Sequence, residues 1–232
     1  PGALMLQRWR HGRRCRKLAR VCDSPVLSRY LDGCSSQKVG TMADTPMIAV
    51  DLELTGLDAA ENHIISMGWT QIDGGRLKMG SNRHLLISAG QSVGKSAAIH
   101  ELLDSEVAQG ADLEDGLEAL FDAAEGRLWV FHHAGLDISF LKRACATWAG
   151  VVPGFIVLDT MRIEYRLRRR REVPVKQGDL QLGRIRHVYG LPDYTAHNAL
   201  IDAVATAELM LAIAARMEPE APLQLTPHIK FF

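Results

Sequence analysis

Four carboxylates and one histidine stand out by their spacing. Asp51 and Glu53 follow the apolar run Met47-Ile48-Ala49-Val50. Asp137 closes the stretch Phe131-His132-His133-Ala134-Gly135-Leu136-Asp137, and His197 and Asp202 bracket Asn198-Ala199-Leu200-Ile201. Carboxylates with no cysteine beside them select hard cations, Mg²⁺ or Mn²⁺, over zinc. Two such ions about 4 Å apart can clamp the attacking and leaving oxygens of an in-line displacement. A neutral imidazole can accept a proton at physiological pH. The set has the composition needed to cut a phosphodiester.

Their settings argue against surface decoration. Residues two apart on a strand point to one face, so Asp51 and Glu53 converge. The apolar run before them predicts a central strand. Asp137 is followed at helical offsets by Phe140, Leu141 and Ala144, and Asp202 by Ala205, Thr206 and Leu209. Both lie on the apolar stripe of a helix, where an unpaired charge is strongly disfavoured unless something neutralises it. An N-cap role would account for Asp137, but Asp202 lies too deep in its helix for one. His197, five residues before Asp202, would sit about 140° away from it on a helix, so the loop entering that helix suits it better.

The elements that must hold these residues form an α/β pattern. Runs at Met47–Val50, Ile64–Ile72 and Arg83–Ile87 read as three strands, with Gly74-Gly75 as a turn. They predict an antiparallel meander. A short helix is expected over Ala97–Leu103 and another over Asp112–Ala124. Leu128–Phe131 and Phe155–Leu158 are two more apolar runs separated by helical segments, which implies parallel strands with crossovers. A long helix over Asn198–Arg216 follows. The expected architecture is a mixed five-stranded sheet flanked by helices.

Bulk properties fit a globular domain with an extension. Of 232 residues, 47% are hydrophobic and 23% charged, and no apolar run is long enough to span a bilayer. Lys+Arg and Asp+Glu are both 27, so any attraction for phosphate must be local or supplied by bound cations. Residues 1–45 read as a basic extension and linker, 46–220 as the main domain and 221–232 as a tail. Pro1–Leu4 precede Met5 and are expected to be a cloning remnant. Arg8, Arg10, Arg13, Arg14, Arg16, Lys17 and Arg20 form an arm that reads as a solvated helix, a phosphate- or protein-binding arm, or a mitochondrial targeting segment. Ser24-Pro25 marks a helix start and Gly33 a stop, with a linker over Ser35–Pro46. Cys15, Cys22, Cys34 and Cys145 show no zinc-type spacing and read as reduced thiols of a cytoplasmic protein.

Taken together, the motifs resemble the DEDDh exonucleases of the ribonuclease H-like fold. Among these they are similar to the proofreading epsilon subunits of bacterial DNA polymerase III and their stand-alone relatives. The likeness covers Met47–Ala215 and rests on Asp51-Leu52-Glu53-Leu54-Thr55-Gly56-Leu57-Asp58, on His132–Leu141, and on His197–Ala203. It differs from the usual second motif in His133, where Asn is common, and in Leu136, where Phe is. The resemblance implies a 3′–5′ exonuclease with two Mg²⁺ or Mn²⁺ ions. Asp51, Glu53 and Asp202 would hold one ion, and Asp51 would bridge to the second with help from Asp137. His197 would be the general base. Glu53, Leu54 and Thr55 would meet the terminal nucleotide and its 3′ hydroxyl, with His132 and Leu136 packing nearby. The implied partners are single-stranded DNA or RNA ends, and no membrane.

Two rival readings have sequence support. Ala89-Gly90-Gln91-Ser92-Val93-Gly94-Lys95-Ser96 fits a loose phosphate-loop pattern, which would make a nucleotide hydrolase with Asp159 or Asp51 on Mg²⁺. A phosphate loop belongs inside a parallel unit, however, and this one would leave an antiparallel meander. A ribonuclease H-like module that only binds nucleic acid is the other. The run Arg166 and Arg168–Arg171 complements a helix C-terminus or tracks phosphates, and Asp159 is expected to cap the helix after it. Aromatic content of 6% argues against an open base-stacking platform.

Overall fold

In the computed structural model, residues 2–88, 110–195 and 197–232 are described. The phosphate-loop-like segment Ala89–Ser96 and the helix expected over Ala97–Leu103 lie outside them.

The strands are β1 (Met47–Leu54), β2 (Ile64–Asp73), β3 (Arg76–Leu86), β4 (Leu128–Phe131), β5 (Ile156–Asp159) and β6 (Ile229–Phe231). They form one sheet in the order β3-β2-β1-β4-β5-β6. β1, β2 and β3 pair antiparallel as the expected meander, while β4 and β5 run parallel to β1. The sheet has one strand more than the five expected. β6 pairs antiparallel with β5 but spans only three residues after Pro227, too few for alternation to reveal it. β3 also begins earlier than expected, at Arg76, because its first half is largely exposed and lacks an apolar signature.

The helices are α1 (Gly2–Ala19), α2 (Pro25–Ser36), α3 (Leu113–Ala123), α4 (Ala134–Ala149), α5 (Thr160–Arg170), α6 (Leu182–Val188) and α7 (Ala199–Met217). Ser24 caps α2 by accepting from the Leu27 N–H at 3.2 Å, with Pro25 at the first helical position. The helix passes Gly33, the expected stop, and ends at Ser36, because its buried stripe of Leu27, Tyr30, Leu31 and Cys34 continues beyond that point.

Strand alternation sorts the core into two layers. Ile48, Val50, Leu52 and Leu54 of β1 face α2, α3 and α4 in one cluster. Met47 and Ala49 face α7, with Ile163 of α5 and Ile185 of α6, in the other. Tyr30 of α2 is enclosed by Phe121, Trp129 and Phe155, and the Trp129 indole N–H donates to its hydroxyl at 2.9 Å. The basic arm is therefore packed through α2 onto the sheet, with Arg10, Arg13, Arg16 and Lys17 left exposed. The segments expected as linker and tail meet: Met42 N–H donates to the Leu223 carbonyl at 2.8 Å and Leu225 N–H to that of Gly40 at 3.0 Å. No helix among the described residues is long and apolar enough to cross a membrane.

Candidate active site

β1 and β4 pair only over Met47–Ala49, so β1 runs on alone past the end of β4. The connection after β1 returns to β2 on one side, and the one after β4 leaves toward β5 on the other. Crevices at such reversals, outside the carboxyl ends of parallel strands, are where α/β sheets place ligands. Asp51 and Glu53 sit there. They continue the face of Met47 and Ala49, the face covered by α7.

α7 delivers the third carboxylate. Asn198 caps it by accepting from the Ile201 N–H at 3.1 Å, which starts the helix at Ala199 as the sequence predicts. Asp202 then lies one turn in. Oxygen atoms of Asp51, Glu53 and Asp202 come within 4.8 Å of one another, close enough to ligate a shared ion. What permits this approach is Gly68, which faces Asp51 across the β1–β2 ladder. A Cβ at Gly68 would overlap the Ala199 carbonyl and the Leu200 nitrogen. Gly68→Ala is therefore expected to push the start of α7 off the sheet, at about 1–3 kcal/mol of stability for overpacking. Thermal unfolding and cation titration should both report it; an unaltered melting temperature and affinity would contradict this role.

Asp137 reaches the site from the opposite layer. It is buried on α4, and its Oδ1 accepts from the Leu52 N–H at 3.2 Å, on the part of β1 that extends beyond β4. α4 begins at Ala134, so Asp137 closes its first turn and does not occupy the cap position. The cap position belongs to His133, whose φ of 70° is left-handed. Asn, the commoner residue at this motif position, tolerates that conformation well, and His is also enriched there. Asp159 secures this start, as its two oxygens accept from the His133 and Ala134 N–H groups at 3.2 Å each. It also caps α5, as expected, through the Arg162 N–H. The double role was not anticipated, since nothing local connects Asp159 to residues 133 and 134.

His197 lies on the exposed loop before α7 with φ 69°, and its backbone N–H donates to Asp202 Oδ2 at 3.0 Å. A cavity of about 380 Å³ opens beside it, lined by Arg184, Arg186, Tyr194, His197 and Asp202 among others. Arg186, 2% exposed, fastens this loop: it donates to the Ala205 and Pro192 carbonyls, pairs with Glu208 at 2.8 Å and lies over the Tyr194 ring. No motif surrounds Arg186 in the sequence to mark this role.

The remaining candidates have internal roles. The His132 ring is wedged between the Thr160 hydroxyl and the Leu180 carbonyl, each at 2.8 Å, and burial lowers its basicity. Thr55 accepts from the His63 N–H at 2.9 Å and donates to Asn62, closing the loop after β1. Leu54 is buried and Leu136 packs partly buried on the same cluster. In the basic run that closes α5, Arg168 Nε donates to Glu164 at 2.8 Å one turn back.

Electrostatics single out the carboxylates as a group. Burial, then repulsion from Asp137, Asp202 and Glu53, holds Asp51 well above the ordinary carboxylate range. Burial and the Asp202 and Asp137 charges push Glu53 up to about 8, and burial drives Asp137 to about 7. Asp202 is raised by burial, opposed by the His197 N–H and by Arg186. Crowded anions out of water are stable when a cation balances them, so the donor set fits hard divalent ions. The metal-free protein should show this in its pH dependence. Glu53 titrates near 4.5 in an open chain and near 8 here, so the folded state holds its proton longer. The stability this confers is complete below about 4.5 and is lost as pH rises toward 8. The melting temperature in chelator should fall across that window, and Mg²⁺ should restore it most at the alkaline end. A flat profile would contradict the crowding.

The comparisons agree with this geometry. Residues 48–210 match the RNase_T exonuclease family model. The chain is 26% identical over 183 residues to the PolC-type DNA polymerase III of Thermotoga maritima, covering 77% of this chain and 12% of that protein. It is 26% identical over 177 residues to the DNA polymerase III epsilon subunit of Salmonella typhimurium, covering 74% and 72%. For the polymerase and two further curated relatives, the match spans 12% to 28% of their length. Among solved structures, E. coli exonuclease I in complex with a dT13 oligonucleotide superposes with a TM-score of 0.61 at 12% identity, over 75% of this chain and 42% of that one. The Mg²⁺- and Mn²⁺-bound form of S. pombe Pop2p gives 0.57 at 16%, over 74% and 84%. These two likenesses bear on the fold. With the family match covering most of the chain and the carboxylates gathered where the motifs predict, the chain belongs to the RNase_T exonuclease family, as a DEDDh-type member with the ribonuclease H-like fold.

Proposed function

We propose that this chain removes nucleotides from the 3′ ends of single-stranded DNA or RNA, releasing nucleoside monophosphates with the help of two Mg²⁺ or Mn²⁺ ions. The observation that carries the reading is the meeting of Asp51, Glu53 and Asp202 within 4.8 Å, with Asp137 on the adjoining Leu52 amide. Asp51, Glu53 and Asp202 would hold one ion, and Asp51 with Asp137 the other. Bound divalent cations supply Lewis-acid stabilisation of the charge that develops on the phosphate oxygens. His197, at the mouth of the cavity, is assigned the general base that takes the proton of the attacking water. Glu53, Leu54 and Thr55 are assigned to the terminal nucleotide and its 3′ hydroxyl. Leu136 and His132 are assigned to pack near the terminal nucleotides, where His132, whose ring nitrogens are engaged by the protein, would contribute only its ring surface.

The relatives support a strand end as substrate: one is an epsilon subunit of a DNA polymerase, and one neighbour is a complex with an oligonucleotide. Catalysis is assigned to residues 46–220, with 1–45 as an extension open to a protein partner and 221–232 as a C-terminal segment. The cytoplasm is the compartment that suits the four free cysteines. The reading is tested with a 5′-labelled panel of single- and double-stranded DNA and RNA in Mg²⁺ or Mn²⁺. A ladder of products shortened one nucleotide at a time from the 3′ end is expected on single strands. Internal cleavage, or binding without any shortening, would overturn it.

A further inference from the structure

The described residues contain a second group of metal-ligating side chains, about which the exonuclease reading says nothing. His11 and Cys15 lie one turn apart on α1, and Cys34 faces them from α2. All three are buried, and their ligand atoms lie within 4.8 Å of one another. We propose that His11, Cys15 and Cys34 bind one thiophilic divalent cation, zinc, and that this ion pins α1 to α2.

Three features argue for it. The first is geometry. With zinc–sulfur and zinc–nitrogen bonds of about 2.3 and 2.0–2.1 Å, a tetrahedral site has a sulfur-to-nitrogen edge of about 3.5 Å. Cys15 Sγ and His11 Nε2 are 3.5 Å apart. Donors four apart on a helix project from one face, the spacing used by helical metal sites. The second is chemistry. Two thiolates and an imidazole are soft donors that select zinc over Mg²⁺ or Mn²⁺, unlike the oxygen-only set at Asp51. Two thiolate charges balance a divalent ion, so the burial carries no net charge. The third is the surround. Tyr30, one turn before Cys34 on α2, is held in place by accepting from the Trp129 N–H at 2.9 Å and donating to the Gly154 carbonyl at 3.3 Å. Cys34 also lines, with Trp9 and Gln37, a cavity of about 190 Å³. The His11 ring also lies 5.3 Å from that of Phe231 on β6, so fixing it ties the arm to the sheet edge.

Cobalt distinguishes this site from the carboxylates, because sulfur-to-cobalt charge transfer in the near ultraviolet requires thiolate ligands. The full chain, reduced and stripped with chelator, is titrated with Co²⁺. One equivalent should develop the charge-transfer band together with the strong visible bands of tetrahedral cobalt, and one equivalent of zinc should abolish both. Asp51→Asn should leave the band intact, and Cys34→Ser should remove it. Absence of the band in folded wild-type protein would overturn the proposal, and that titration needs no variant to fold. Retention of the band in Cys34→Ser would overturn it as well, as would a Cys15–Cys34 disulfide mapped in protein isolated with zinc present.

Discussion

Asp51→Asn should all but eliminate strand shortening while leaving the protein folded. Asp51 stands on the central strand, within reach of Glu53 and Asp202 and under the electrostatic influence of Asp137. It is the one carboxylate assigned to both ions. Loss of an outer-shell partner of a metal ligand already costs roughly 10–100-fold in metal affinity or activity. Loss of a shared ligand should exceed that in kcat, and weaken Mn²⁺ binding measured by calorimetry. Asparagine keeps the shape of the side chain and removes a charge that its neighbours repel. The metal-free variant should therefore be at least as stable as wild type, which separates lost chemistry from lost fold. Full activity in this variant would refute the site.

His197→Ala should behave differently. The side chain projects from a loop with left-handed backbone, and that loop is anchored independently by the His197 N–H on Asp202 and by Arg186 on Ala205, Pro192 and Glu208. Removing the imidazole leaves those anchors in place, so Mn²⁺ affinity should change little. Turnover near neutral pH should fall by about 10²–10⁴-fold, the usual contribution of a positioned general base. The loss should shrink at alkaline pH, where hydroxide replaces the base. A rate equal to wild type across the pH range would remove His197 from the chemistry and leave it a structural loop residue.

The parts of this site that could be read in the sequence are those with local signatures. Alternation along β1 put Asp51 and Glu53 on one face. Helical offsets marked Asp137 and Asp202 as charges on apolar stripes, and the five-residue step placed His197 outside the helix. What escaped reading depends on distant contacts. Gly68 matters only because α7 passes over it. Asp159 holds two backbone amides of a helix that begins 25 residues earlier in the chain. β6 is too short to announce itself, and its partner β5 is far away in sequence. Zinc-type spacing shows only within one segment, whereas Cys34 meets His11 and Cys15 only when α1 folds back on α2. Of that group, the step from His11 to Cys15 was visible, but it acquires meaning only once α1 is known to be helical.

Crystals grown with Mn²⁺, with data collected at the manganese absorption edge, test the central claim most directly. Anomalous peaks should lie among the carboxylates of Asp51, Glu53, Asp137 and Asp202 and vanish or weaken in Asp51→Asn crystals. Well-ordered side chains with no peak between them, or with arginine and lysine occupying the space, would contradict the account.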